Sequence, residues 1–214
     1  MNSKSKGVTV NGSGTATAPP DLVIVDVGVT ALADTVAAAS QDAARTARSV
    51  LDAFASSGID GADIATTGYA ITAEYDWQAG SVRRFLGYRV NNSLTVKIRE
   101  LGEVGTILDR AVGAAGNAAE VSGLRFSIDD PSALESQARD LAWADAVAVA
   151  TQLAGLAGRE LGPATSITEV SGGSVPFPVG RMRAEMAAAD TTTPIEGGST
   201  TVRVTIEARF EFAD

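Results

Sequence analysis

Hydrophobic and polar residues alternate along three stretches of the chain, residues 22–30, 88–98 and 201–212. A period of two predicts β-strands that have one buried and one solvent-exposed face. The predicted inward-facing residues are Val23, Val25, Val27, Val29, Tyr88, Val90, Leu94, Val96, Ile98, Val202, Val204, Ile206, Ala208, Phe210 and Phe212. Such strands are typical of an antiparallel or mixed sheet that is covered on one side only.

Apolar residues recur every three or four positions in two long stretches, which predicts amphipathic helices. The first runs from Asp34 to Ser57 and ends at Gly58, the residue type preferred just after a helix C-terminus. The second begins at "DDPS", with Asp130 as N-cap and Pro131 in the first turn, and ends at Gly158. Its predicted buried stripe consists of Leu134, Ala138, Leu141, Ala142, Val149 and Leu153.

Shorter elements fill the remaining chain. The segment "DIATTGYAITAEYDW" and the stretch 83–100 predict a hairpin whose tip is "QAGS" at 78–81. A short helix is predicted at about 101–115, with strands around 121–128 and 166–170.

The order strand, helix, strand, long return strand occurs at about 21–100 and again at about 120–213. This repeat predicts an internal duplication whose two halves place their helices on the same side of one shared sheet. The fold class is therefore α/β in the broad sense (α+β), with a mixed, largely antiparallel sheet and long helices packed on one face.

Domain organisation follows from the same patterns. We expect residues 1–6 to be a disordered tail and residues 7–214 to form a single domain, which is interrupted by a long Gly- and Pro-rich loop at 171–198. Loops of that length are usually functional or disordered. The loop is interpreted as a mobile surface segment or as an arm that docks on a neighbouring subunit through Phe177, Met182, Arg183 and Met186.

Composition narrows the chemistry. The net charge of −9 argues against nucleic acid and anionic membranes, because both require a basic surface. The chain has no cysteine and no histidine, so it offers no thiolate, no imidazole base and no Cys or His metal ligand. We expect no cofactor and no metal. No apolar stretch is long enough for a transmembrane helix.

The candidate ligand or partner surface lies on the predicted hairpin, where the scarce aromatic residues are concentrated. It consists of Tyr69, Tyr75, Trp77, Arg83, Arg84, Phe85 and Tyr88. Two carboxylates in the same hairpin, Glu74 and Asp76, are candidates for general acid and general base catalysis. Cross-strand pairing with Arg83 and Arg84 would lower a carboxylate pKa, which favours a charged hairpin face over catalysis.

The pair Gly12 and Gly14 raises the question of a phosphate-binding loop. Such a loop needs its glycines to lead into a helix N-terminus, whereas these lead into Pro19 and Pro20 and then a strand. The pair is interpreted as part of a glycine-softened, bulged first strand that a proline-stiffened hairpin turn follows.

The ordered set of motifs resembles the SIMPL-domain family over about residues 7–213. The segments that carry the resemblance are "VTVNGSGTATAPPDLVIVDVGV", "SGIDGADIATTGYAITAEYDW", "GYRVNNSLTVKIREL", "SGLRFSIDDPSALESQARDLAWADAVAVATQLAGLAG" and "TPIEGGSTTVRVTIEARFEF". The resemblance implies an α/β fold with helices packed against a mixed sheet and, in some bacterial relatives, large ring-like or channel-like oligomers. It also implies export to the periplasm or cell envelope in many members and a link of some to oxidative-stress defence. It supplies no catalytic residues.

Together these observations predict a non-enzymatic protein that assembles with itself. The alternative is a small-molecule or peptide-binding module that uses the aromatic hairpin, and a more distant one is a hydrolase that uses Glu74 or Asp76. The sequence as written carries no secretion signal, so the expected location is the cytoplasm, or the periplasm or cell envelope if residue 1 follows a removed leader.

Overall fold

A computed structural model describes residues 7–77, 83–170, 177–179 and 197–213. Within these residues the chain is an α+β fold of eight strands and three α-helices. The strands are β1 (Gly7–Ala18), β2 (Leu22–Ala33), β3 (Ile64–Trp77), β4 (Arg83–Ile98), β5 (Ala119–Ser127), β6 (Leu161–Glu169), β7 (Phe177–Val179) and β8 (Ser199–Phe212). The helices are α1 (Val36–Ser56), α2 (Val104–Ala115) and α3 (Ser132–Leu156).

The strands form two separate antiparallel sheets, so the predicted single shared sheet is wrong. One sheet has the order β1-β8-β6, with β7 also paired to β8, and the other has the order β3-β4-β2-β5. The described pairings are all antiparallel. Each sheet belongs to a compact unit: the terminal unit includes described residues 7–20, 128–170, 177–179 and 198–213, and the central unit includes 21–77 and 83–127.

The two units share one strand order. In the central unit the order along the chain is β2-α1-β3-β4, and in the terminal unit it is β1-α3-β6-β8. In both, the last strand lies between the first and the third. This order agrees with the predicted strand-helix-strand-strand duplication, but the predicted start of the second repeat at 120 is wrong. That segment is β5, which pairs with β2 of the central unit, and β1 takes its place in the terminal unit.

The core of the central unit lies between α1, α2 and the inward face of β2 and β4. The alternation predicted for these strands is confirmed. Fully buried side chains include Val23, Val25, Val27, Val29, Val50, Phe54, Val90, Val96, Ile98 and Val104. Helix α1 begins after Thr35, whose hydroxyl accepts a hydrogen bond from the Ala38 N–H at 3.2 Å. It ends, as predicted, before Gly58, which has a φ of +81°.

The core of the terminal unit is built from small residues at a close helix-to-sheet contact. A Cβ added at Gly12 would lie 2.2 Å from the Ala142 carbonyl oxygen, and one at Gly14 would lie 2.1 Å from that of Ala138. Helix α3 therefore packs with its backbone directly on β1. The residues it buries are Ala138, Ala142, Ala146, Ala150 and Ala154.

This close contact corrects the predicted buried stripe of α3. Ala138 and Ala142 are buried as predicted, but Leu141 and Leu153 are 45% and 42% exposed, and Leu134 and Val149 are half-buried. The reason is steric: a leucine side chain does not fit between a helix and a strand whose backbones nearly touch.

The glycine pair serves this contact rather than a bulge or a hairpin. Strand β1 pairs with β8 in an unbroken register from Gly7↔Glu211 to Ala18↔Thr200. Because β1 and β2 belong to different sheets, Pro19 and Pro20 lie in a connection between units, and the predicted hairpin turn is wrong.

Helix α3 begins at Ser132, one residue later than predicted. Pro131 occupies the cap position, and the Asp130 carboxylate accepts a hydrogen bond from the Ser132 N–H at 3.0 Å. Hydrogen bonds from the backbone and side chain of Ser132 lower the pKa of Asp130. Asp130 therefore helps to start the helix, in agreement with the role predicted for it.

Candidate functional site

The β3–β4 hairpin carries the residues predicted to form a ligand or partner surface. The two strands pair from Ile64↔Val96 to Trp77↔Arg83, and the predicted tip at 78–81 lies outside the described residues. Near that tip Tyr75 lies opposite Phe85. The hairpin is confirmed as an element.

One face of the hairpin extends beyond the helix layer. Tyr69 and Ile71 lie opposite Asn92 and Val90, so they share the sheet face on which α1 packs. Helix α1, however, packs mainly on β2 and β4 rather than on β3. Tyr69 is 55% and Ile71 40% exposed. We call this surface, formed by Tyr69, Ile71, Tyr75 and Phe85, the uncovered strip.

Three of the predicted aromatic residues are in contact. The Phe85 ring lies edge-on to Tyr75 at 5.5 Å and to Tyr88 at 5.3 Å between centroids. The guanidinium carbon of Arg83 lies 3.5 Å from the centre of the Tyr75 ring, a cation–π contact. Aromatic pairs of this geometry contribute about 1 kcal/mol each beyond their buried area. The cluster therefore stiffens the end of the hairpin.

The remaining predicted residues of this surface lie apart from the ring cluster or are described only in part. Arg84 is exposed and lies opposite Asp76 in the register. The backbone of Trp77 is paired with Arg83. Tyr69 lies six residues before Tyr75 on the same strand.

The opposite face of the hairpin carries an ion pair. Arg89 donates two hydrogen bonds to the Glu74 carboxylate, one of them from Nη2 to Oε1 at 2.8 Å. These hydrogen bonds, followed by the Arg89 charge, lower the pKa of Glu74, while partial burial opposes them. The sequence predicted arginine pairing for this carboxylate but not that Arg89 would be the partner. A carboxylate held ionised in this way is a poor general acid.

Sequence reasoning missed a second carboxylate on the same sheet. Asp26 on β2 accepts hydrogen bonds from Thr95 at 2.6 Å and from Arg125 at 2.7 Å. The hydrogen bond from Thr95 contributes most to lowering the pKa of Asp26, and burial opposes it. Strand alternation places Asp26 on the outer face, which was readable from sequence, but its partners come from β4 and β5 and depend on strand order.

Asn92 is another residue that sequence reasoning missed. It interrupts the apolar alternation between Val90 and Leu94, and its Oδ1 is buried without a hydrogen-bond partner among the described residues. Asn92 lies opposite Tyr69 in the register. This acceptor is therefore enclosed within the fold beside the uncovered strip and is not exposed on it.

The residues predicted for the oligomer arm are mostly outside the described chain. Phe177 lies in β7, whose backbone pairs with β8 at Thr201. Met182, Arg183 and Met186 lie outside the described residues. Across the ranges that the structure describes, no cluster of three or more acidic side chains is arranged to hold a metal ion, and none of the described helices is both long and apolar enough to cross a membrane.

Comparison with known proteins places the chain in a family. The family described as SIMPL, protein of unknown function (DUF541), matches residues 8–210. The "26 kDa periplasmic immunogenic protein" of Brucella melitensis biotype 1 is 35% identical over 218 residues, which cover 99% of this chain and 86% of that protein. The "Uncharacterized protein YggE" of Edwardsiella ictaluri is 28% identical, covering 86% of this chain and 77% of that protein. The Escherichia coli K12 protein of the same name is 27% identical, covering 82% and 70%. The resemblance predicted from the sequence is confirmed, and the chain belongs to the SIMPL family.

Proposed function

We propose that this protein is a non-enzymatic SIMPL protein that assembles with itself into a ring-like or channel-like homo-oligomer. The observation that supports the proposal best is the uncovered strip on the β3–β4 hairpin. Tyr69, Ile71 and Phe85 are large apolar side chains on one sheet face, and each is at least 40% exposed. Contiguous exposed apolar surface beside an open strand is typical of interaction sites.

The proposal includes a location in the periplasm or cell envelope and a contribution to stress defence. The name of the Brucella relatives, periplasmic immunogenic protein, supports the location. The absence of cysteine limits any direct antioxidant chemistry to the three methionines of the chain, so an assembly role fits better than a thiol-based one.

The chemistry of the described carboxylates supports a non-enzymatic role. The pKa values of Asp26, Asp63, Glu74 and Asp130 are all lowered, in each case chiefly by hydrogen bonds that stabilise the ionised form. General acid catalysis near neutral pH needs a raised carboxyl pKa instead. This argues against the hydrolase alternative that used Glu74.

The segment 171–198 is proposed to add a second contact between subunits. Its methionines and Phe177 supply adaptable apolar side chains. Its attachment supports this role, because β7 pairs with the start of β8 and so anchors the segment to the sheet of the terminal unit.

Light scattering coupled to size-exclusion chromatography over a concentration series tests the assembly. We expect a mass of several times 21.8 kDa for the intact chain and a smaller mass after deletion of residues 180–192, which leaves β7 in place. Deletion of residues 2–6 is the control and should leave the number of subunits in the assembly unchanged. A monomer at every concentration would overturn the proposal.

A second candidate function is binding of a small molecule or peptide at the uncovered strip. The ring cluster of Tyr75, Phe85 and Tyr88 favours it, because ligand-binding sites are lined mainly by apolar and aromatic side chains. The test is quenching of Trp77 fluorescence across a metabolite and peptide panel in a Trp143→Phe background. Trp143 packs on Phe210 in the terminal unit, so its replacement leaves the hairpin intact. An unchanged spectrum throughout the panel would count against this function.

A further inference from the structure

The outer edge of a β-sheet normally carries some protection against pairing with another chain. Among the described strands, such edges are formed by β1 in the terminal unit, by β6 and the short β7 on the other side of β8, and by β3 and β5 in the central unit. Comparing them shows which edge is left open.

The edges of the terminal unit are protected. Helix α3 packs on β1, and its Asp145 carboxylate accepts a hydrogen bond from the Ser13 N–H of that strand at 2.9 Å. Strand β6 contains Pro163, and its pairing with β8 is irregular on both sides of Ala164. Proline and irregular pairing both discourage the addition of a further strand.

Strand β5 of the central unit is protected in a different way. It has nine residues, its register shifts opposite Asp26, and it carries Glu120 and Arg125. Arg125 is held by its ion pair to Asp26 at 2.7 Å. A short strand with a bulge and charged side chains is a poor template for pairing.

Strand β3 lacks most of the protective features found at the other edges. It is 14 residues long and contains no lysine, arginine or proline, and residues 64–73 carry no charge at all. Its pairing with β4 shifts register at two places, between Thr66 and Gly68 and between Glu74 and Tyr75. Among the described strands it pairs with β4 alone. Within the part of the chain that the structure describes, its outer edge therefore presents backbone N–H and C=O groups beside the exposed side chains of Tyr69 and Ile71.

The distribution of charge along β3 selects the direction of pairing. Its acidic residues, Glu74 and Asp76, lie together near one end. Parallel pairing of two copies in register would place each carboxylate beside its equivalent, which is unfavourable. Antiparallel pairing instead moves these carboxylates to the other copy's Ile64 end, where β4 carries Lys97 and where Arg99, just after β4, is paired with Asp63 at 2.6 Å.

We propose that β3 pairs antiparallel with β3 of a second copy across a two-fold axis near residues 69–72. The inference rests on the proposed self-assembly and names its interface. The pairing joins two four-stranded sheets into one of eight strands, satisfies the open backbone groups, and brings Tyr69 and Ile71 of both copies together on one face. A two-fold contact is self-complementary, so one surface serves both partners.

Cysteine cross-linking tests the pairing, because the natural chain has no cysteine and each introduced thiol is unique. Single substitutions Tyr69→Cys, Ala70→Cys, Ile71→Cys and Thr72→Cys scan the proposed axis. A residue on the axis meets its own equivalent at about 5 Å between Cα atoms, within reach of a disulfide. We expect at least one of these variants to form a covalent dimer under mild oxidation.

Two matched variants provide the control. Ala65→Cys lies on the same strand, but antiparallel pairing separates its two copies by at least about 25 Å at about 3.3 Å per residue. Ala164→Cys lies on the exposed edge of β6. Both should remain monomeric on denaturing gels. Efficient dimer from Ala65→Cys would indicate parallel pairing, and dimer from Ala164→Cys alone would assign the interface to β6.

A non-covalent variant separates this inference from the proposed function. Ala70→Lys should reduce the mass measured by light scattering at least two-fold, while Ala164→Lys leaves it unchanged, because a lysine on an edge strand discourages pairing with another chain. If the intact chain assembles but neither Ala70→Lys nor the cysteine scan has an effect, the β3 interface is wrong and the self-assembly stands. If the intact chain is a monomer throughout, both fail.

Discussion

The central and terminal units arrange three strands and a long helix in the same order, yet they fill the space between helix and sheet differently. In the central unit valines and Phe54 occupy that space. In the terminal unit glycines on β1 and alanines on α3 bring the two backbones almost into contact. One strand order thus accommodates two packing solutions, and the size of the side chains at the contact determines how closely the helix approaches.

The edges of the two units differ in the same way. The close contact in the terminal unit brings α3 over β1, so that Asp145 reaches the backbone of that strand. In the central unit α1 packs mainly on β2 and β4. Each helix therefore packs mainly on the first and last strands of its unit, and the third strand, β3 or β6, contacts it least.

The largest expected effect comes from removing the main aromatic anchor of the central unit. Phe54 is fully buried, so Phe54→Ala should lower the free energy of unfolding by about 4 kcal/mol, through lost burial and the cavity left behind. Urea denaturation followed by circular dichroism measures it. The same substitution at Phe85, which is 44% exposed, is the control and should cost about 1 kcal/mol. Equal losses of unfolding free energy at Phe54 and Phe85 would contradict the conclusion that Phe54 is a main contributor to the core of the central unit.

A smaller effect is expected from adding one methyl group to the close contact of the terminal unit. Gly12→Ala should lower the free energy of unfolding by about 2 kcal/mol, because the new Cβ would lie 2.2 Å from the Ala142 carbonyl oxygen and must displace α3.

The matched control is Gly28→Ala on β2 of the central unit, where the nearest atom to an added Cβ is 3.5 Å away. This change should be neutral or slightly stabilising, as expected for glycine replaced in a strand with room for a side chain. A tolerated Gly12→Ala would contradict the backbone contact between α3 and β1.

The smallest effect concerns pH. Three of the carboxyls with a lowered pKa, those of Asp26, Asp63 and Glu74, lie in the central unit, and that of Asp130 lies in the terminal unit. A carboxyl whose pKa is lower in the folded than in the unfolded chain adds stability above its unfolded pKa, near pH 4, that is lost as the pH falls through the folded value. Acid should therefore destabilise the central unit more.

Single-tryptophan variants measure this difference, because the chain has one tryptophan in each unit. Trp77, observed in the Trp143→Phe variant, should report a larger fall in the urea midpoint between pH 6 and pH 3 than Trp143 does in the Trp77→Phe variant. Asp26→Asn should reduce the fall reported by Trp77, because it removes one of the ionisations. A larger fall at Trp143 would contradict the assignment of the lowered pKa values to the central unit.

Much of the local structure could be predicted from sequence, because its cause is local. The alternation in β4 and β8 comes from the two-residue period of a strand, and Gly58 ends α1 through its own backbone freedom. The buried face of α3 was predicted less well because apolar residues surround the helix. With leucine and alanine on different sides, hydrophobicity alone favours burying leucine, whereas the close approach of β1 requires alanine.

The candidate surface was also predicted in part. The concentration of aromatic residues at 69–88 located the hairpin face, and the contacts among Tyr75, Phe85 and Tyr88 follow from the register. The partner of Glu74 was not predicted, because the bulge at Leu86 shifts the register so that Arg89, rather than an arginine nearer the tip, reaches the carboxylate.

The sequence by itself determined the long helices and strands and the inward faces of those strands, because these depend on a local period. It also determined the family and, through the residue types present, the absence of thiol and imidazole chemistry. Tertiary structure alone decided that β1 pairs with β8 across nearly the whole length of the chain and that β5 joins the central unit. It also decided which helix face is buried and which of the described strands lie at the sheet edges. These features depend on which distant surfaces meet and on how closely backbones approach, and neither is encoded in a local pattern.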